Sequence, residues 1–96
     1  PAYHQLMSAA KQHGVAGLSW HEPQPGAHVA RAALSYLHHQ AEAGTSCPLT
    51  MTHAAVAVLQ SQPHLAEWAR KAAAPVYDPR DVPVAYKNGN TLGMGM

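Results

Sequence analysis

The chain has 96 residues, the size of one small domain. Its 47% hydrophobic content excludes disorder by composition, yet much of it is alanine and methionine and phenylalanine is absent, so the core it builds alone is thin. The net charge is +1 and only 11% of residues are charged, against about 25% in ordinary domains, which excludes a phosphate-binding basic stripe and leaves a surface sparse enough in charge for other protein to cover part of it.

The spacing of Tyr3, Leu6, Met7 and Ala10 predicts a first helix, with Gly14 as its C-terminal cap. Residues 18–26 carry Pro23, Pro25 and Gly26 and are expected to be irregular, with Trp20 packed on the helices. The strongest helical signal runs from Ala27 to Ala43 and ends at Gly44. Ala30, Ala33, Leu34, Leu37 and Ala41 form its stripe, widened by Val29 and Tyr36. Thr45–Pro48 reads as a turn, with Pro48 opening a helix from Leu49 to Ser61. That helix is apolar on nearly every side from Ala54 to Leu59, which predicts burial all round by more protein than this chain holds. Ser61 and Pro63 then open a short helix carrying Leu65, Trp68, Ala69 and Ala72, and Pro75 stops it. Residues 77–83 form a loop, Asn88-Gly89-Asn90 a turn, and the segment from Thr91 turns extended.

The expected fold is therefore all-α: a small antiparallel helical domain of about four helices, ending in the first strand of a following β-domain. Residues 1–76 make the helical domain, 77–90 the connection and 91–96 the strand. A chain that opens on Pro1 and ends on the apolar Gly93-Met94-Gly95-Met96 reads as a piece of a larger protein. No apolar run reaches transmembrane length and no signal-peptide pattern is present, so a cytoplasmic location without a membrane partner is expected.

The candidate chemistry is sparse. His38 and His39 are adjacent on a helix and point about 100° apart, so they do not clasp one ion easily. With no His-Glu-x-x-His motif, the eight histidines read as surface or capping residues, and no metal site is expected. The single cysteine, Cys47, excludes an internal disulfide. It lies ahead of a helix start, which favours a thiolate, but no Cys/His signature surrounds it. It reads as a turn thiol near a cofactor rather than a nucleophile. The carboxylates show no paired spacing, and there is no phosphate loop. Composition and spacing alone leave the function open.

Three stretches say more: Gly17-Leu18-Ser19-Trp20, the run Val29–Ala33 continuing through Gln40–Thr52, and Leu92–Met96. Together they resemble the N-terminal helical region of the acyl-CoA dehydrogenase family, in its adaptive-response, AidB-like branch. The string Glu42-Ala43-Gly44-Thr45-Ser46-Cys47-Pro48-Leu49-Thr50-Met51-Thr52 carries most of that resemblance. The resemblance implies a helical domain leading into a β-domain and then a helical bundle, with FAD between the last two. It implies α,β-dehydrogenation of an acyl-CoA thioester, with hydride passing to FAD.

Carried over, it makes Met94, Gly95 and Met96 flavin contacts, against the plainer reading that they are core strand residues. Glycine lets backbone approach a planar ligand, and methionine adapts to a ring. Thr50 and Thr52 fall on the substrate side and could donate hydrogen bonds there, against a reading as part of a capped, buried helix. No catalytic residue is implied within this chain, because the family's carboxylate base belongs to the bundle. The chain alone is expected to be inactive and to bind no FAD. The implied partners are the remaining domains of the parent, further copies of it in a homo-oligomer, and DNA through a C-terminal region outside this chain. Two other functions stay open: a DNA-protective flavoprotein with little dehydrogenase turnover, and a small helical interaction module.

Overall fold

The computed structural model describes residues 2–93. All of its regular structure is helical, and there is no strand among the described residues. The helices are α1 (Ala2–Gln12), α2 (Leu18–His21), α3 (Ala27–Ala41), α4 (Ser46–Gln60) and α5 (Ala66–Ala73). Two single 3₁₀ turns, Pro63–Leu65 and Val84–Tyr86, lie ahead of α5 and within the long final loop.

Helix α1 ends as its sequence predicts. Gly14 takes a positive φ of 82°, Val15 N–H bonds back to Ala10 O, and Gly14 N–H bonds to Lys11 O. This pair of bonds satisfies carbonyls the helix end leaves open. Residues 18–26 differ from the expectation. Leu18–His21 form one helical turn, because Pro23 and Pro25 lie past its end and constrain only the residues from Glu22 onward. Helix α4 also begins earlier than Pro48, at Ser46. Pro48 sits within the first turn, where its missing N–H leaves no helical bond unmade.

The turn between α3 and α4 is organised by Glu42. Its carboxylate accepts from Gly44 N–H, Thr45 N–H and the Thr45 hydroxyl, and these bonds, the hydroxyl first, hold its pKa below the ordinary carboxylate value. In the final loop Asp78 plays the same part. Its carboxylate accepts from the Arg80 guanidinium and from Asn88 N–H, which pins the 78–88 loop shut and pulls its pKa far down.

The core is in two parts. Met7, Ala10, Val15, Ala16 and Leu49 form one, with Leu34 and Tyr77 against it. Val56, Ala72 and Ala73 form the other, with Trp20, Leu59 and Leu92 against it. Among the described residues six of the ten buried apolar ones are alanines, so single large side chains carry much of the burial. Leu49 is 1% exposed, and Leu49→Ala is expected to cost about 3 kcal/mol, read as a lower urea midpoint.

The outer surfaces are less covered than helical pattern alone suggests. On α4 only Leu49, Thr52 and Val56 are buried, while Ala54, Ala57 and Val58 face outward. On α3 Val29, Tyr36 and Leu37 are exposed, and only Ala27 is buried. The all-round burial expected of α4 is therefore not met by the described residues.

Candidate functional site

The segment entering the last residues is clamped from three helices. Asn90 N–H donates to Lys71 O of α5 at 3.1 Å. Asn90 O accepts from Lys11 Nζ of α1 at 3.2 Å. Leu92 N–H donates to Thr52 Oγ1 of α4 at 3.0 Å. The Leu92 side chain lies against the Val56, Ala72 and Ala73 cluster. Beyond it the chain emerges, and Gly93 is exposed with open space where a side chain would stand.

Lys11 is the least expected member. Its side chain is fully buried and makes a second bond, 2.7 Å, to Ala72 O near the C-terminal end of α5. A cation there meets the negative end of the helix and a carbonyl the helix leaves open. Burial lowers its pKa to about 8. The sequence did carry a signal for it: Lys11 stands four residues after Met7, on the buried face of α1.

Thr52 is also fully buried. Its hydroxyl donates to Pro48 O at 2.7 Å and accepts from Leu92 N–H, so both of its polar functions are engaged inside the fold. Thr50, two residues earlier on the same helix, is exposed. Cys47 is exposed, with Sγ 3.7 Å from Met51 Sδ. Met94, Gly95 and Met96 lie outside the described residues.

Several histidines are engaged in hydrogen bonds. His38 bonds the Thr45 hydroxyl at 2.7 Å, and His39 bonds the Ser46 hydroxyl at 2.9 Å. His4 bonds Tyr77 Oη at 2.9 Å. Trp20 packs on the helices as predicted and donates from Nε1 to His53 O at 2.9 Å. The His53 ring stacks near Trp20, and burial, with Arg31 as a lesser cause, lowers its pKa. No group of three potential metal ligands occurs among the described residues.

Residues 1–79 match the family model described as the adaptive response protein AidB N-terminal domain. The chain belongs to that family. A similar protein is AidB of Escherichia coli (strain K12), provisionally named an acyl-CoA dehydrogenase, which is 43% identical over 99 residues. That alignment takes in 100% of this chain and 18% of the relative, so the chain spans less than a fifth of that protein's length. No solved structure gives a significant match.

The structure brings Thr52 to Leu92 across 40 residues of sequence. It leaves Thr50 on the open side of the same helix. Spacing does not reveal that link, because a threonine hydroxyl seeking a distant backbone amide leaves no periodic mark. Among the described residues no helix is long and apolar enough to cross a membrane.

Proposed function

We propose that the chain is the N-terminal helical part of a cytoplasmic, FAD-dependent oxidoreductase of the acyl-CoA dehydrogenase type. The observation that carries this reading is 43% identity, across the whole chain, to a relative named as such a dehydrogenase. Residues 1–76 form the helical part, 77–90 connect, and 91–96 open the next domain. Met94, Gly95 and Met96 contact the flavin. Support comes from the bare, uncovered backbone at Gly93, which fits a planar ring lying against the chain as it leaves the core. Thr50 faces the acyl-CoA thioester with its exposed hydroxyl, and Thr52 serves the same side through the segment it holds.

Bound FAD supplies the acceptor for hydride lost from the acyl chain. The residues of this chain contribute one wall: they orient, and they keep water from one side. The proton-abstracting base and most of the flavin site belong to the remaining domains, and the working protein is a homo-oligomer. A second reading is favoured by the family's description as an adaptive-response domain: a flavoprotein that protects DNA through its C-terminal region and turns over little.

Two measurements test these readings, and the second separates them. The 96-residue chain titrated with FAD is expected to give no stoichiometric yellow complex; formation of one overturns the claim that the site is completed elsewhere. The full-length protein is expected to hold FAD and to be bleached by an acyl-CoA thioester under exclusion of oxygen. Retained flavin without bleaching, together with DNA binding, favours the protective reading. A full-length protein free of flavin sinks both.

A further inference from the structure

We propose that Thr52 is a positioning residue for the flavin-contacting segment, fixing its approach through the Leu92 amide rather than touching substrate itself. The inference rests on the proposed placement of FAD at Met94–Met96. Three observations carry it. The Thr52 side chain is fully buried, so no ligand reaches its hydroxyl from outside. The hydroxyl proton goes to Pro48 O at 2.7 Å, which orients the lone pairs toward the single incoming donor, Leu92 N–H at 3.0 Å. Leu92 is the last of the described residues that packs on the core, and it stands two positions before Met94 in the sequence.

The two other bonds of the clamp, to Asn90, act two residues earlier and hold the chain against α1 and α5. The Thr52 bond, together with the packing of the Leu92 side chain on Val56, Ala72 and Ala73, sets the depth of the chain where it emerges. It joins that point to the first half of α4, the helix that also carries Thr50. A flavin resting on the emerging backbone and a substrate beside Thr50 are thereby held in one register. Without the hydroxyl, the Leu92 amide is left half-buried with no acceptor, and the backbone shifts to find water. A shift at Leu92 moves the point from which the chain continues toward the proposed flavin contacts.

The test uses the full-length flavin-loaded protein with Thr52→Val and Thr52→Ser. Thr52→Val keeps the shape and deletes the hydroxyl; Thr52→Ser keeps the hydroxyl. The valine variant is expected to release FAD about ten-fold more readily and to alter the visible flavin band. The serine variant is expected to restore both. In the 96-residue chain the Leu92 amide is expected to exchange faster in the valine variant while α1 amides do not change. Where valine fails to fold, Thr52→Ala takes its place in the same comparison. Faster Leu92 exchange with unchanged FAD affinity and spectrum overturns the positioning role and leaves the proposed function intact. A wild-type protein without flavin overturns the proposed function, and this role with it.

Discussion

Gly17→Ala is expected to destabilise the chain by about 3 kcal/mol or more, enough to leave a small, alanine-rich domain largely unfolded. Gly17 is the residue ahead of α2, and its backbone lies against the last residue of α5. A Cβ built there falls on the Ala73 carbonyl, 2.8 Å from its carbon and 3.0 Å from its Cα. The obstacle is main chain, so no rotamer change relieves it. Relief requires α2 to withdraw from α5. That withdrawal carries Trp20 away from Val56, Ala72 and Ala73 and breaks its bond to His53 O. The steric origin of the cost has a built-in control. Gly26 precedes α3 with φ 81° and has open space around the same position. Gly26→Ala therefore meets only the left-handed backbone penalty, about 1–2 kcal/mol. Urea unfolding of the two variants is expected to rank Gly17→Ala well below Gly26→Ala. The reverse order means that α2 does not dock on α5 as described.

That contact also shows where sequence patterns stop informing the fold. Helices α1, α3, α4 and α5 are legible because each repeats an apolar face at helical spacing and is bounded by Gly14, Gly44, Pro63 or Pro75. Helix α2 is not. A single turn has no period to detect, and nearby prolines mask it. The Gly17–Ala73 approach joins residues 56 apart, and nothing in the local pattern at either end announces it. The candidate site divides the same way. The string around Thr50 and Thr52 stands out through its resemblance, while the division of labour between them emerges only from burial and hydrogen bonding. Asn90 and Asp78 escape the sequence pattern, and of Lys11 only its place on the buried face of α1 is legible, because their partners are backbone groups distant in sequence or a local loop. The exposed stripe of α3 and the outer side of α4 are apolar beyond what this chain covers. Their apolar pattern is plain in the sequence; its burial is not supplied by the described residues.

Lys11 leads to the second large effect, in which alkaline solution stabilises the domain. Burial lowers its folded pKa to about 8 from an ordinary 10.5. Between those values the unfolded chain holds a proton that the folded chain has released. Unfolding there takes up protons, so stability rises with pH through that window and levels above it. The shift corresponds to about 3 kcal/mol in total, with a steepest slope of about 1.4 kcal/mol per pH unit. Tyr77 works the other way. Burial raises its pKa, with Tyr3 as a lesser cause, so it withdraws stability as pH climbs past its ordinary value of 10. Urea midpoints between pH 8 and 9.5 therefore isolate the lysine. The wild-type chain is expected to gain stability steadily across that range. Lys11→Met, which keeps an unbranched apolar stem and removes the amine, is expected to be nearly flat. Equal slopes in the two proteins would place the lysine in water rather than between Ala72 O and Asn90 O. The neutral amine still donates hydrogen bonds. The clamp on Asn90 therefore survives deprotonation, and what the fold gains at high pH is relief from a buried charge that has no carboxylate partner among the described residues. Lys11 is thus retained for reach and donors, tying α1 to the end of α5 and to the segment that leaves the core, at the expense of its charge.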